Sequence, residues 1–572
     1  MRHNRTHRFT FPLWAPLCIV PFVVLLFAII HFGVPVVVGD FWGTIPFMEE
    51  VLLRHEFQPS FLLSQFNEHR FPLPLLLITG MALLTGWNIY AELLIAPMAA
   101  AASVALLCTL FSRTLPDRHW SERAGMCVFT SWLLFSLTGR HVWLMSIHLT
   151  AWVSIACFLG AVLLATGRPL TFSRFLGVIA LCVASSFSFG FGLLSWIAIL
   201  PLMVVQPVPP LRGSPLQMHR RIVWVALYLA AWSATVFVYF HGYSSPPSHP
   251  SPVFGLQHPV LLVQFISTLG GAPLFPQSPI LASTLGALTA LGTMGLLAHA
   301  LRQRRMPPSA LPWVSIALFS LLSCILIGIA RVGFGSYVAL SPRYFSVASL
   351  WLVAVLSLSI LLTTFPRIPV LLALGIMESL VIVHSMREWT PWEQLSANFR
   401  RGMACLQSYE ISSDACLREL SAGEPESVRA FAPALERMGM VQMFSLPADV
   451  SYVLAPDEQL GAWEHTENLD TGTGDSSSIV MGWAVLPSCR KAEHVVLTYG
   501  HDHTLLAHTT AILSRKDIAA ERGTCFRKSG WTVEISRDAF ERARQIGLVE
   551  AWVYDEQLHQ VFLLTNEEQF NS

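Results

Sequence analysis

FPLWAPLCIVPFVVLLFAIIHF, residues 11–32, decides the fold: twenty-two residues pass without an Asp, Glu, Lys or Arg. An α-helix needs roughly 20 such residues to cross the hydrocarbon core of a bilayer. The run follows a basic stretch, MRHNRTHR, and ends without a small-residue cleavage site. It therefore reads as a retained first helix, not as a removed signal peptide. Its basic flank predicts a cytoplasmic N-terminus.

Outward from this run, similar apolar windows recur near 89–111, 124–139, 148–167, 174–189, 191–206, 222–241, 279–300, 309–330, 345–364 and 368–386, so that about eleven crossings are expected. Composition agrees, with 53% hydrophobic and only 13% charged residues, where a soluble domain carries roughly 25% charged residues. Acidic and basic residues balance at 36 each, so no global field points to nucleic acid. Basic loops orient the crossings. Arg113, Arg118 and Arg123, then Arg168 and Arg174, then Arg212, Arg220 and Arg221, then Arg302, Arg304 and Arg305 all fall on the cytoplasmic side if Phe71–Thr85 does not cross. That segment is short and carries Pro72 and Pro74, and it reads as an interfacial or re-entrant helix. Everything after Arg387 is then extracytoplasmic.

The expected fold class is a polytopic α-helical membrane protein with an extracytoplasmic C-terminal α+β tail. Residues 1–387 form the bundle with a first outer loop at 33–88, residues 388–450 a helical connector, and residues 451–572 a small antiparallel β-sandwich. The sandwich rests on SIVMGWAVLP, HVVLTYG, WTVEI and LVEAWVYD, where apolar and polar residues alternate. All three lysines lie in this last part. Cys405, Cys416, Cys489 and Cys525 lie in the tail as a whole, an even number that suggests disulfides in an oxidising compartment, most simply Cys405–Cys416 and Cys489–Cys525.

Chemistry-bearing residues gather in the outer loops. GDFWGTIPFMEE (39–50) and SQFNEHRFPLP (64–74) place Asp40, Glu49, Glu50, Glu68, His69 and Arg70 at the membrane surface. Carboxylates there can act as general bases or hold a divalent cation, and Arg or His can neutralise phosphate oxygens. VWLMSIHLTAW (142–152) adds Trp143, which can anchor the interface or stack on a sugar, and His148. ARVGFGSYVALSPRYF (330–345) adds Arg331, Arg343 and Tyr344, an arginine pair suited to bidentate phosphate binding. Glu378, deep in a window, is expected to pair helices, and SFSFGFG (186–192) to break or end a helix near the outer face, the alternative being close helix packing through small residues. The chain lacks phosphate-binding loops, dinucleotide fingerprints and HExxH or CxxC pairs, so no nucleotide cofactor is expected.

One transmembrane helix, a long outer loop with an Asp near the helix end (Asp40 in VVVGDFW, then NEHRFPLP), further spans and an outer soluble domain: this layout resembles the GT-C superfamily of membrane glycosyltransferases, in particular bacterial members that use polyprenyl-phosphate sugars. The resemblance implies Asp40 as catalytic base or substrate-orienting group. It also implies a lipid-linked sugar donor, a glycan, lipid or protein acceptor, and residence in the bacterial inner membrane. Family members often pair this acid with a second, whereas Asp40 has no acidic neighbour before Glu49, which leaves metal dependence and the identity of the base open. A transporter or flippase of lipid-linked saccharides, or a polysaccharide polymerase or ligase, is the alternative; polar residues at one surface and the lack of a repeat favour an enzyme.

Overall fold

The computed structural model describes residues 14–116, 118–166, 170–205, 215–246, 249–302, 306–363, 366–421, 425–447, 449–470 and 476–567. Of the arginines expected on the cytoplasmic side, Arg168, Arg212, Arg304 and Arg305 lie outside these, as does the basic N-terminal octet. The chain folds as two units, residues 1–33 with 58–392, and residues 34–57 with 393–572.

In the first unit every apolar window contains a helix. Among the described residues, eight helices are long and apolar enough to cross a membrane, from Ala15–Phe32 to Arg367–Gln407, and the protein is an integral membrane protein. The windows at 124–139, 174–189 and 191–206 hold the shorter helices Trp120–Leu134, Phe172–Ser186 and Leu194–Val205. Pro72–Thr85 is a 14-residue helix with proline in its first turn, where the missing N–H costs nothing. A helix that no window suggested, Pro259–Gly271, packs on Pro279–Arg302. It has 13 residues, too few to register as a span. Its contact uses small residues: a Cβ on Gly271 would collide with the Ala282 carbonyl, and one on Gly286 with that of Ser267. Helix Phe172–Ser186 ends at the SFSFGFG run, and the turn there is tight, since a Cβ on Gly192 would run into the Ser185 carbonyl.

In the second unit ten strands, β1 Ser451–Val453, β2 Gly461–Asp470, β3 Ser476–Leu486, β4 Arg490–Lys491, β5 His494–Tyr499, β6 Thr504–Thr509, β7 Gly530–Ser536, β8 Val549–Asp555, β9 Gln560–Leu563 and β10 Thr565–Asn566, make two sheets. Their orders are β1-β9-β8-β5-β6 and β10-β2-β3-β4, with β7 on β3. Trp463, Trp483 and Trp531 of one sheet meet Val495, Leu497 and Val553 of the other in a single core, the arrangement of a sandwich. The expectation of a purely antiparallel sandwich is corrected at two edges, where β1 pairs β9 and β10 pairs β2 in parallel. Disulfides join Cys405 to Cys416 and Cys489 to Cys525, with Cα separations of 6.1 and 6.2 Å.

Residues 34–57 belong to this second unit because two donors converge on one carbonyl. Gly39 N–H reaches Leu420 O at 2.6 Å and the buried Trp42 indole reaches the same oxygen at 3.3 Å. Gly39 adopts φ 68°, a conformation a side chain would strain.

Candidate functional site

Three loops of the membrane unit converge. In the first, Phe66 and His69 exchange backbone hydrogen bonds at 2.8 and 2.9 Å, with Asn67 left-handed at φ 53°. Asn tolerates that conformation, and the turn presents Glu68 and His69 at its tip. Arg70, 8% exposed, does not reach outward: its guanidinium donates to the carbonyls of Leu63 and His241, the latter at 2.6 Å. Gln65 adds a reciprocal pair with Ser244, donating at 2.6 Å and accepting at 3.0 Å. The first loop is thereby fastened to the second, residues 241–251. Arg70 thus works as a staple, and the phosphate-binding role expected for it is corrected because the residue is buried with Nη1 and Nη2 turned to the carbonyls of two loops.

The third loop begins at Arg331, the last residue of helix Leu311–Arg331, where the helix dipole favours a cation. Its guanidinium makes a close ion pair with Glu68, donates from Nε to the Tyr344 hydroxyl at 3.2 Å, and sets Nη1 3.1 Å from His249 Nδ1. His249 Nδ1 also lies 3.1 Å from Glu68 Oε2. A guanidinium only donates and a carboxylate only accepts, so a neutral imidazole can satisfy one of them through Nδ1, and the two compete. Exposures of 11% for Arg331, 17% for Glu68 and 19% for His249 make this a half-wet cluster, open to displacement by a stronger anion.

Arg343 is exposed, its guanidinium 5.0 Å from the Tyr344 ring, so Tyr344 touches both arginines. Arg343 lines a hollow of about 430 Å³ with Phe334, Tyr337, Val338, Leu340 and Ser341, and Tyr337 is 74% exposed. Such an apolar wall beside an exposed cation suits an amphiphile with an anionic head. His69 packs against Phe189 with ring centroids 4.2 Å apart and the planes tilted by 35°, and a Cβ on Gly190 would press its Nδ1. Burial, then the neighbouring His249, holds His69 well below its ordinary pKa, so it is neutral at pH 7. Burial, then Arg140 and Arg343, lowers His141 to about 4. His148 lies within electrostatic reach of Arg343, His141 and His69.

Of the residues singled out from sequence, Glu68, His69, Arg331, Arg343, Tyr344 and His148 share this region. Trp143 does not take part. It is fully buried, donates to Ser136 O at 3.0 Å and stacks on Trp152 at 5.6 Å. Both readings of it, interface anchor and sugar platform, are corrected: no face of the ring is left for a ligand. His249, inside SSPPSHPSP, and His141 carried no signal beyond being histidines between apolar windows. Asp40, in the second unit, stands exposed on the turn Gly39–Thr44. Glu49 pairs with Arg437 at 2.7 Å within that unit. A second acid besides Glu378 falls in an apolar window: Glu92, 1% exposed, accepts the Trp87 indole at 3.0 Å. Among the described residues no cluster of three or more His, Cys, Asp or Glu is disposed to hold a metal ion.

No protein-family model matches the chain, and no curated protein matches it by sequence. Among solved structures it is similar to ArnT from Cupriavidus metallidurans in the apo state (13% identity, TM-score 0.36, covering 75% of this chain and 76% of that one). It is similar too to that protein bound to undecaprenyl phosphate (13%, 0.34, 77% and 82%). A third is the archaeal oligosaccharyltransferase AglB from Archaeoglobus fulgidus in complex with an inhibitory peptide and a dolichol-phosphate (11%, 0.36, 77% and 62%).

Proposed function

We propose that the protein is a GT-C-type glycosyltransferase of the bacterial inner membrane that moves a sugar from a polyprenyl-phosphate donor to an envelope glycan, lipid or protein on the extracytoplasmic side. The observation that carries this reading is the Glu68–Arg331–Tyr344 cluster beside the Arg343 hollow. A lipid phosphate seated there meets two guanidinium groups, and its isoprenoid tail meets Phe334, Tyr337 and Leu340. Each phosphate oxygen accepts charge-assisted hydrogen bonds stronger than those between neutral groups. Glu68 and the phosphate compete for Arg331, with His249 ready to hold the displaced carboxylate.

In the reaction the acceptor oxygen attacks the anomeric carbon as the bond from that carbon to the phosphate oxygen breaks. The polyprenyl phosphate leaves with the electron pair, and inversion results. The acceptor's proton passes to a carboxylate base, the role that the family resemblance implies for Asp40. Arg331 and Arg343 stabilise the charge that grows on the leaving group, the larger demand at neutral pH.

The test measures lipid-linked sugar and modified glycan in cells carrying Asp40→Asn or Arg343→Ala. Accumulation of the donor with loss of product is expected for both. Wild-type behaviour of both variants, with loss of function in Glu378→Gln, would turn the assignment to a transporter.

A further inference from the structure

The second unit contains a cleft of about 750 Å³, within the roughly 300–1,000 Å³ of small-molecule sites. One wall is the connector segment 410–418. The others are the first residues of β3, the facing ends of β5, β6 and β7, and helix Arg537–Ile546. The connector wall is rigid. Arg429 donates to Tyr409 O at 2.5 Å and Ser412 O at 2.9 Å and pairs with Asp414, while the Cys405–Cys416 bond closes the loop. A wall so braced loses little freedom when a ligand arrives.

The lining states what the ligand is not. Glu410, Asp414 and Glu534 balance Arg418, Arg429 and Arg542, so neither a polyanion nor a polycation is favoured. Charged groups around the rim make the cleft a poor seat for an acyl chain, which would displace their water and offer no hydrogen bond in return. Five serines contribute hydroxyls, and Ser477, 6% exposed, has no hydrogen-bond partner for its Oγ among the described residues. Against these stands an apolar strip of Tyr499, Leu505, Ala543 and Ile546. Carboxylate and guanidinium forks, small hydroxyls and an apolar strip with one aromatic ring match a molecule that carries hydroxyls on its edges and C–H groups on its faces.

We propose that this cleft binds a neutral oligosaccharide. Its role as the seat of the acceptor glycan rests on the transferase reading; saccharide binding itself does not.

The experiment titrates the full-length protein in lipid nanodiscs with mannohexaose, maltohexaose and cellohexaose, and with inorganic phosphate, by calorimetry. At least one hexasaccharide is expected to bind. Glu534→Gln and Arg542→Ala should each weaken it about tenfold, the loss of one hydrogen bond to a charged group, with unchanged melting midpoints. Failure of all three sugars to bind, binding insensitive to both variants, or a preference for phosphate in the cleft overturns the proposal. Arg331→Ala separates the two readings. Hexasaccharide binding without sugar transfer by the wild type removes the transferase and leaves the cleft, and transfer without binding does the reverse.

Discussion

Arg331 in the membrane unit and Arg515 in the C-terminal unit are both arginines among acids, and they are saturated to different degrees. Arg515 holds Glu464 in a fork at 2.5 and 2.8 Å and reaches Asp517 through Nε at 3.0 Å and Nη2 at 2.6 Å. Two carboxylates take four of its five N–H groups and leave at most one for a newcomer, and Asp517 is drawn down to about 2 by that hydrogen bonding. Arg331 has one carboxylate, which it shares with His249. A guanidinium has five donors, and three partners leave some free at the edge of a hollow. The saturated pair is a joint. The unsaturated one is a place where a ligand can be exchanged in.

The largest effect that follows from this contrast is on turnover. Arg331→Ala should lower the rate of sugar transfer roughly 10²- to 10³-fold, the scale of one lost stabilising donor in a transition state. Arg515→Ala should leave transfer alone and lower stability by about 1–2 kcal/mol, the pair being too exposed for more. Steady-state transfer assays and thermal melts on both variants decide. If Arg515→Ala slows transfer as much as Arg331→Ala does, saturation does not distinguish joint from site.

The second effect concerns pH and belongs to the C-terminal unit. His508 is buried, donates from Nδ1 to Ala404 O at 3.3 Å, takes His494 at 2.9 Å on Nε2 and lies flat on Phe444 at 3.9 Å. Burial, then the neighbouring His494, lowers it to about 3. In the unfolded chain it titrates near 6.5. Between those values the unfolded state binds more protons, so stability is full above about pH 6.5 and falls as pH drops toward the folded value. The slope reaches about 1.4 kcal/mol per pH unit, so melts at pH 6.5 and 5 should differ by about 2 kcal/mol. His508→Gln should flatten that difference; an unchanged slope assigns it to other groups.

How much of this was legible in the sequence follows from the range of each interaction. The spans were legible because a charge-free run announces its own environment, as at residues 11–32, and the strands of HVVLTYG and LVEAWVYD because alternation is local. Pro259–Gly271 was not, since its length falls below the span signal and its packing depends on Gly286 in the next helix. Trp143 looked like an interfacial aromatic because sequence gives depth but not direction. Its inward turn is set by Ser136 O and Trp152. Arg70 was misread for the same reason, its partners being carbonyls that any sequence supplies. The division of the first outer loop was hidden most deeply, since Trp42 meets Leu420 across 378 residues. Glu68 and Arg331 were each visible as charged groups in outer loops, but their pairing spans 263 residues and His249 had no mark of its own.

The smallest effect tests how the two arginines are linked. Tyr344 accepts from Arg331 Nε at 3.2 Å and carries Arg343 above its ring at 5.0 Å. Tyr344→Phe keeps the ring and removes only the hydroxyl. The Arg343 contact should survive, and Arg331 should lose one neutral acceptor worth about 1 kcal/mol, a few-fold in rate or donor affinity. Tyr344→Ala removes both contacts and should cost more, chiefly through a higher KM for the donor as Arg343 loses its platform. Equal losses in the two variants would show that the hydroxyl alone positions the pair. No loss in either would mean that the arginines act without Tyr344, and that Glu68 and His249 are enough to set the geometry of Arg331.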